Sequence, residues 1–283
     1  MAGSFVQAVP SHLSICKEAD MKIALAGKGG AGKTTIAAWL GDHLARLGRQ
    51  VWMVDADTAL SLGQASGLDP AALPVPLAAR EDLVRQRIGR GMLQLTPVVS
   101  DLPEALCVPL PLGGPVLPGV VPGRKRLLVM GTVPGAAGGC ACAANTLLKA
   151  VLAELILDRD EWVIVDMEAG VEHLGRGTVQ SVDALIVVSE PSLRALATGA
   201  EVARMAADLG IGRQVLALNR CGEGGALPSL PGLPATVLCM PPLKGLAERQ
   251  LTSGSVLGLP EDAAVGEFCD RLLAALESDR PGA

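Results

Sequence analysis

Gly27-Lys28-Gly29-Gly30-Ala31-Gly32-Lys33-Thr34-Thr35 stands between an apolar run, Lys22-Ile23-Ala24-Leu25-Ala26, and a run with helical character. The frame from Gly27 to Thr34 fits G-x-x-x-x-G-K-[ST]. Residues without side chains there let backbone N–H groups close round phosphate oxygens, while the following helix presents its positive end. Gly29, Gly30, Ala31, Gly32, Lys33, Thr34 and Thr35 are therefore candidate nucleotide contacts, with Lys33 on the β- and γ-phosphates and Thr34 on Mg²⁺. The alternative, a glycine-rich tight turn without a ligand, does not account for strand, loop and helix occurring in this order. Lys28 is a second lysine, one residue after the first glycine. It leaves the loop on the far side from its own chain's phosphates, so its natural recipient is a nucleotide on another subunit.

Outward from this loop, apolar runs of strand length recur at Ile23–Ala26, Val51–Asp55, Leu93–Pro97, Leu127–Gly131, Trp162–Asp166, Ala184–Ser189, Val215–Asn219 and Thr236–Cys239. Amphipathic runs lie among them at Thr34–Leu47, Glu81–Ile88, Asn145–Leu157, Ser192–Asp208, Leu243–Arg249 and Glu261–Glu277. Strands rich in Val, Ile and Leu with little alternation are expected of parallel strands covered on both faces. The fold class is therefore α/β, a single doubly wound, mostly parallel sheet with helices on both faces. Residues 21–283 form one domain, preceded by a loose extension over 1–20, because Met21 sits immediately before the first strand. Residues 100–124 carry repeated Pro and Gly and read as an irregular excursion, as do 222–234.

Ligand loops of such a sheet gather at the carboxyl ends of the strands, where three further sets of residues are expected. Val54-Asp55-Ala56-Asp57 puts two carboxylates near the phosphates. Asp57 orients the attacking water and joins Lys28 and Lys33 as a catalytic candidate, and Asp55 belongs to the metal shell. The run Trp162-Val-Ile-Val-Asp166 ends in a carboxylate suited to Mg²⁺, directly or through water, and Gly170 after it lets the chain swing. Asn219 offers an amide that donates and accepts at once, as an adenine edge requires, and Arg220 beside it shares the nucleotide side.

Cys140-Ala141-Cys142 carries different chemistry. In an extended segment its Cα atoms are about 6.6 Å apart and both sulfurs face one side. Two sulfurs do not complete a thiolate site, whereas two copies related by a twofold axis supply four. The following helix, read from Asn145, favours thiolate at its positive end. Sulfur ligands suit Zn²⁺, Ni²⁺ or Cu over Mg²⁺. His43 and His173 are alternative ligands. The seven cysteines lack the spacing of a disulfide framework and fit a reducing, cytoplasmic setting.

The chain has 283 residues, 49% of them hydrophobic, and a formal net charge of −5. The mild acidity argues against a general nucleic-acid surface, and no apolar run approaches the roughly 20 residues that cross a bilayer.

The segment from Lys28 through Asp57 resembles the deviant Walker-A ATPases of the MinD, ParA and nitrogenase iron protein group, which work as nucleotide-bridged homodimers. Gly138-Gly-Cys140-Ala-Cys142-Ala-Ala-Asn145 and Asp166-Met-Glu-Ala-Gly-Val-Glu-His-Leu-Gly-Arg-Gly177 are similar to the CooC family, the nickel-insertion ATPases of carbon monoxide dehydrogenase maturation. The resemblance covers about residues 21–277. It implies an ATP/ADP- and Mg²⁺-dependent homodimer that binds Ni²⁺ or Zn²⁺ and serves apo carbon monoxide dehydrogenase. The chain departs from the pattern at Thr58, in the expanded stretch Pro109–Pro122 and at Met240–Leu243. Two other readings stand beside it: an iron–sulfur reductase of the nitrogenase iron protein type, and a positioning ATPase like MinD or ParA.

Overall fold

A computed structural model of the chain describes residues 21–88, 97–116, 118–131, 140–157, 161–167, 182–222 and 230–278; for 140–142, 144, 145, 156 and 157 the description is limited to the backbone. The strands are β1 (Lys22–Ala26), β2 (Val51–Ala56), β3 (Val108–Leu110), β4 (Lys125–Val129), β5 (Trp162–Met167), β6 (Ala184–Ser189), β7 (Gln214–Asn219) and β8 (Thr236–Met240). The helices are α1 (Lys33–Arg46), α2 (Leu62–Ala65), α3 (Glu81–Ile88), α4 (Leu102–Leu106), α5 (Cys140–Leu157), α6 (Leu193–Asp208), α7 (Lys244–Arg249) and α8 (Asp262–Ser278).

Among the described residues the strands form one sheet in the order β3-β4-β2-β5-β1-β6-β7-β8. Every pairing is parallel except β3 with β4. The doubly wound expectation holds, and its reason is visible in β1. Ile23 and Leu25 pack into one apolar layer with α1 and α8, while Ala24 and Ala26 pack into the other with α3, α5 and α6. Each interior strand buries both faces, so its sequence shows no alternation. Ser192 starts α6 by accepting a hydrogen bond from the Ala195 amide through its hydroxyl, at 3.3 Å, which pairs one of the first-turn N–H groups left free at a helix start.

Two expectations change. The excursion over 100–124 contains α4 and the edge strand β3, which the Pro109 in its middle disguised. Proline lacks the ladder donor, so it is tolerated at a sheet edge, where this strand lies. The helix read from Asn145 begins at Cys140, so the cysteine pair occupies a helical first turn and not an extended segment ahead of it. Residues two apart on a helix do not share a face. The expected strand at Leu93–Pro97 lies outside the described residues except for Pro97.

A buried ion pair braces the sheet from outside the ligand region. Lys125 opens β4 with its side chain fully buried, and its Nζ lies 2.6 Å from Asp42 Oδ1 on α1. Burial holds the Lys125 amine below its usual range, against the opposing pull of the Asp42 charge. The same Asp42 oxygen accepts the Gly113 amide at 2.8 Å.

Candidate functional site

The loop between β1 and α1 lies at the sheet's centre, where β1 is flanked by β5 and β6. Its glycines answer two constraints. Gly27 has φ 146°, and a β-carbon there would collide with the Val188 carbonyl of β6. Gly32 has φ 103°, and a β-carbon there would overlap the Asn219 side-chain amide. A β-carbon at Gly29 or Gly30 would instead meet nothing within 4 Å. The loop backbone thus faces open space on one side and is tightly backed on the other, the form required to wrap phosphates with N–H groups.

Three of the expected carboxylates converge below this loop. The β2–β5 register sets Asp55 directly beside Asp166, at the strand spacing of about 4.8 Å. Thr34, in the first turn of α1, donates its hydroxyl to Asp166 Oδ2 at 2.6 Å. Asp166 Oδ1 is buried and has no hydrogen-bond partner. Asp55 accepts the Leu62 amide at 3.0 Å and the Asp57 amide at 3.3 Å. Lys33, 5% exposed, extends to 3.9 Å from Asp57 Oδ2, and Asp57 also accepts the Ala59 amide at 2.9 Å.

Burial raises the Asp166 carboxyl to about 7; the Thr34 hydrogen bond opposes this and the Asp55 charge adds to it. Burial likewise raises Asp55 to about 6, opposed by the two amide hydrogen bonds. Buried carboxylates in contact resist ionising together unless a cation joins them. An unpartnered buried carboxylate oxygen beside a threonine hydroxyl and a second carboxylate is an oxygen-only donor set of the kind Mg²⁺ takes. Thr34, Asp55 and Asp166 therefore fit Mg²⁺.

Asn219 reaches the same place from the end of β7. It is 6% exposed, and its Nδ2 donates to the Ala31 carbonyl at 2.9 Å. Its Oδ1 accepts the Arg220 amide at 3.0 Å. The amide thus braces the loop between β1 and α1. Arg220 has φ 54°, and its guanidinium pairs with the Glu190 carboxylate at the end of β6. Among the described residues no carboxylate lies in ion-pair range of the half-buried Lys28.

Sequence reasoning missed Ser61, whose hydroxyl donates to Thr34 Oγ1 at 3.4 Å, and Glu190. Neither sits in a motif; the loop after β2 and the end of β6 bring them in. Among the candidate sulfur and imidazole ligands, the side chains of Cys140 and Cys142 and the whole of His173 lie outside the described residues, as does Gly170. His43 is placed elsewhere, with Nε2 2.7 Å from Asp270 Oδ1 between α1 and α8. Among the described residues no three His, Cys, Asp or Glu side chains are grouped to hold a metal ion. No helix among them is long and apolar enough to cross a membrane.

A family profile described as the CobQ/CobB/MinD/ParA nucleotide binding domain matches residues 22–223. The carbon monoxide dehydrogenase accessory protein CooC of Rhodospirillum rubrum is 39% identical over 198 residues, covering 68% of this chain and 71% of that protein. An uncharacterized ATP-binding protein of Methanocaldococcus jannaschii is 38% identical over 206 residues, covering 71% and 75%. Among solved structures, MinD of Pyrococcus horikoshii complexed with Mg-ADP superposes with a TM-score of 0.60 at 19% identity, covering 92% of this chain and 96% of that one. The MinC:MinD complex of Aquifex aeolicus gives 0.63 at 19% identity, covering 90% and 96%. At these identities the two structures establish the fold.

Proposed function

The chain belongs to the CobQ/CobB/MinD/ParA nucleotide-binding family and is an ATPase of that family, and we propose that it is a nucleotide-switched homodimeric metallochaperone that helps insert nickel into carbon monoxide dehydrogenase. The observation that carries this is its 39% identity to the CooC accessory protein, taken together with the Cys140-Ala-Cys142 pair, which the nucleotide site does not use.

In this reading Gly29 to Thr35 wrap the triphosphate and Lys33 holds its β- and γ-phosphates. Thr34, Asp55 and Asp166 would hold Mg²⁺, which when bound would supply positive charge to offset that of the triphosphate. Asp57 Oδ2 lies 3.9 Å from the Lys33 amine. Phosphate competes for that lysine, and Asp57 then turns to orient the attacking water. Asn219 and Arg220 flank the base. Lys28 reaches the nucleotide of the second copy and so links hydrolysis to dimerisation.

The cargo ion, nickel with zinc as its competitor, sits on Cys140 and Cys142 of both chains. Their place in the first turn of α5 favours thiolates through the helix's positive end. When triphosphate draws the two chains together the four sulfurs meet, and hydrolysis separates them. Ion affinity and nucleotide state are then coupled by one free energy.

The test is metal analysis with dimer sizing, with and without ATP, of the intact chain and of Cys140→Ala/Cys142→Ala. The reading requires one ion per dimer, lost in the double variant while ATP binding persists. Nickel affinity indifferent to ATP defeats it, and bound iron with a brown colour supports a reductase.

A further inference from the structure

Ser61 stands at the start of α2, where a serine hydroxyl ordinarily accepts a first-turn amide. Its carbonyl accepts the Ala65 amide at 2.9 Å, but its side chain makes no cap hydrogen bond. Asp55 supplies the acceptor instead. Its Oδ2 takes the Leu62 amide at 3.0 Å and its Oδ1 takes the Asp57 amide at 3.3 Å, so one buried carboxylate clamps both ends of the segment 57–62. Between these ends Asp57 accepts the Ala59 amide, and Leu60 makes a left-handed turn at φ 47°. A bulky residue keeps that conformation only where its surroundings fix it, and Leu60 packs against the apolar layer that includes α1. The clamped segment presents two side chains to consecutive residues at the start of α1: Asp57 to Lys33 and Ser61 to Thr34.

A hydroxyl has one proton and two lone pairs. The Thr34 proton goes to Asp166 Oδ2 at 2.6 Å. Ser61 approaches one lone pair of Thr34 Oγ1 at 3.4 Å, which leaves the other for a cation. That approach is longer than the roughly 2.7–2.8 Å usual between hydroxyls, so the Ser61 proton is held loosely beside the oxygen set of Thr34, Asp55 and Asp166. We propose that Ser61 is a positioning residue for Mg²⁺: its hydroxyl keeps Thr34 Oγ1 turned with its proton on Asp166 and its free lone pair toward the ion, and thereby sets metal affinity at the nucleotide site. The proposal rests on the nucleotide reading above. Helix α2 does not depend on this hydroxyl, because Asp55 already pairs the Leu62 amide. Removing it should therefore disturb the ion and not the fold.

The experiment titrates Mn²⁺, which takes the same oxygen ligands as Mg²⁺, into the metal-stripped full chain with and without ADP, and reads free Mn²⁺ by electron paramagnetic resonance. ADP affinity and melting temperature are measured alongside in a chelator. In Ser61→Ala the ADP-dependent Mn²⁺ affinity should fall about tenfold, the scale for losing a partner that orients a metal ligand. ADP affinity and melting temperature in chelator should match those of the intact chain. Ser61→Thr, which keeps the hydroxyl, should recover most of the Mn²⁺ affinity. Unchanged Mn²⁺ affinity in Ser61→Ala overturns the proposal and leaves the nucleotide reading standing. A loss that Ser61→Thr does not recover, or that is matched by weaker ADP binding in chelator, also overturns it, since the side chain then serves the loop and not the ion. An intact chain that binds no ADP overturns the nucleotide reading and this proposal with it.

Discussion

Replacing Asp166 by asparagine should make the metal-free protein more stable at about pH 8. The folded chain raises this carboxyl from 3.8 to about 7, mainly by burial, so over that interval it holds a proton that the unfolded chain has released. Stability therefore falls as pH rises from 3.8 toward 7, and above this range the ionised side chain subtracts about 4 kcal/mol. The substituted amide keeps an oxygen for the Thr34 hydroxyl, but it places an N–H donor where Oδ1 now has no partner, and an unmet buried donor costs about 1–3 kcal/mol. The net gain is about 2 kcal/mol, or roughly 4–8 °C in melting temperature for a domain of this size. The assay is thermal unfolding in a chelator at about pH 8 and about pH 5. At the lower pH Asp166 is already protonated and the gain should vanish or reverse. A variant that melts lower at pH 8, or shifts equally at both pH values, refutes the assignment of a strained, cation-seeking carboxylate.

Asp55→Asn should follow the same direction with a smaller gain, since its carboxyl rises only to about 6; in both variants Mg²⁺-dependent ATP hydrolysis should be lost. Lys28→Ala should leave nucleotide binding to the single chain within a few-fold but lower hydrolysis by about 10³-fold, the scale of a cation supplied in trans; normal turnover speaks against the intersubunit role. Asn219→Ala removes the 2.9 Å bond to the Ala31 carbonyl and should cost about 1–3 kcal/mol in denaturant unfolding, with weaker binding of both ATP and inorganic triphosphate. Loss of ATP binding alone would indicate a contact only to the base. Lys125→Met leaves the buried Asp42 with Arg46 at 3.8 Å and the Gly113 amide as its remaining partners and should cost about 3 kcal/mol, the lower end for a broken buried pair, with little change in nucleotide affinity per folded molecule.

What the sequence determined by itself was local. A glycine-rich run closes on phosphate through its own backbone, and strands covered on both faces lack alternation, so the loop, the parallel sheet and the carboxylates at the strand ends were legible at Gly27–Thr35, Asp55 and Asp166. The tertiary structure decided what depends on register and on chain crossing. It set Asp55 beside Asp166 with one oxygen unpartnered, and it put Asn219 under a loop far away along the chain. It made Pro109 part of an edge strand and buried Lys125 against Asp42. None of these pairs has a signature in the chain, because the spacing between them is fixed by hydrogen-bonded neighbours in the sheet and not by the residues in between.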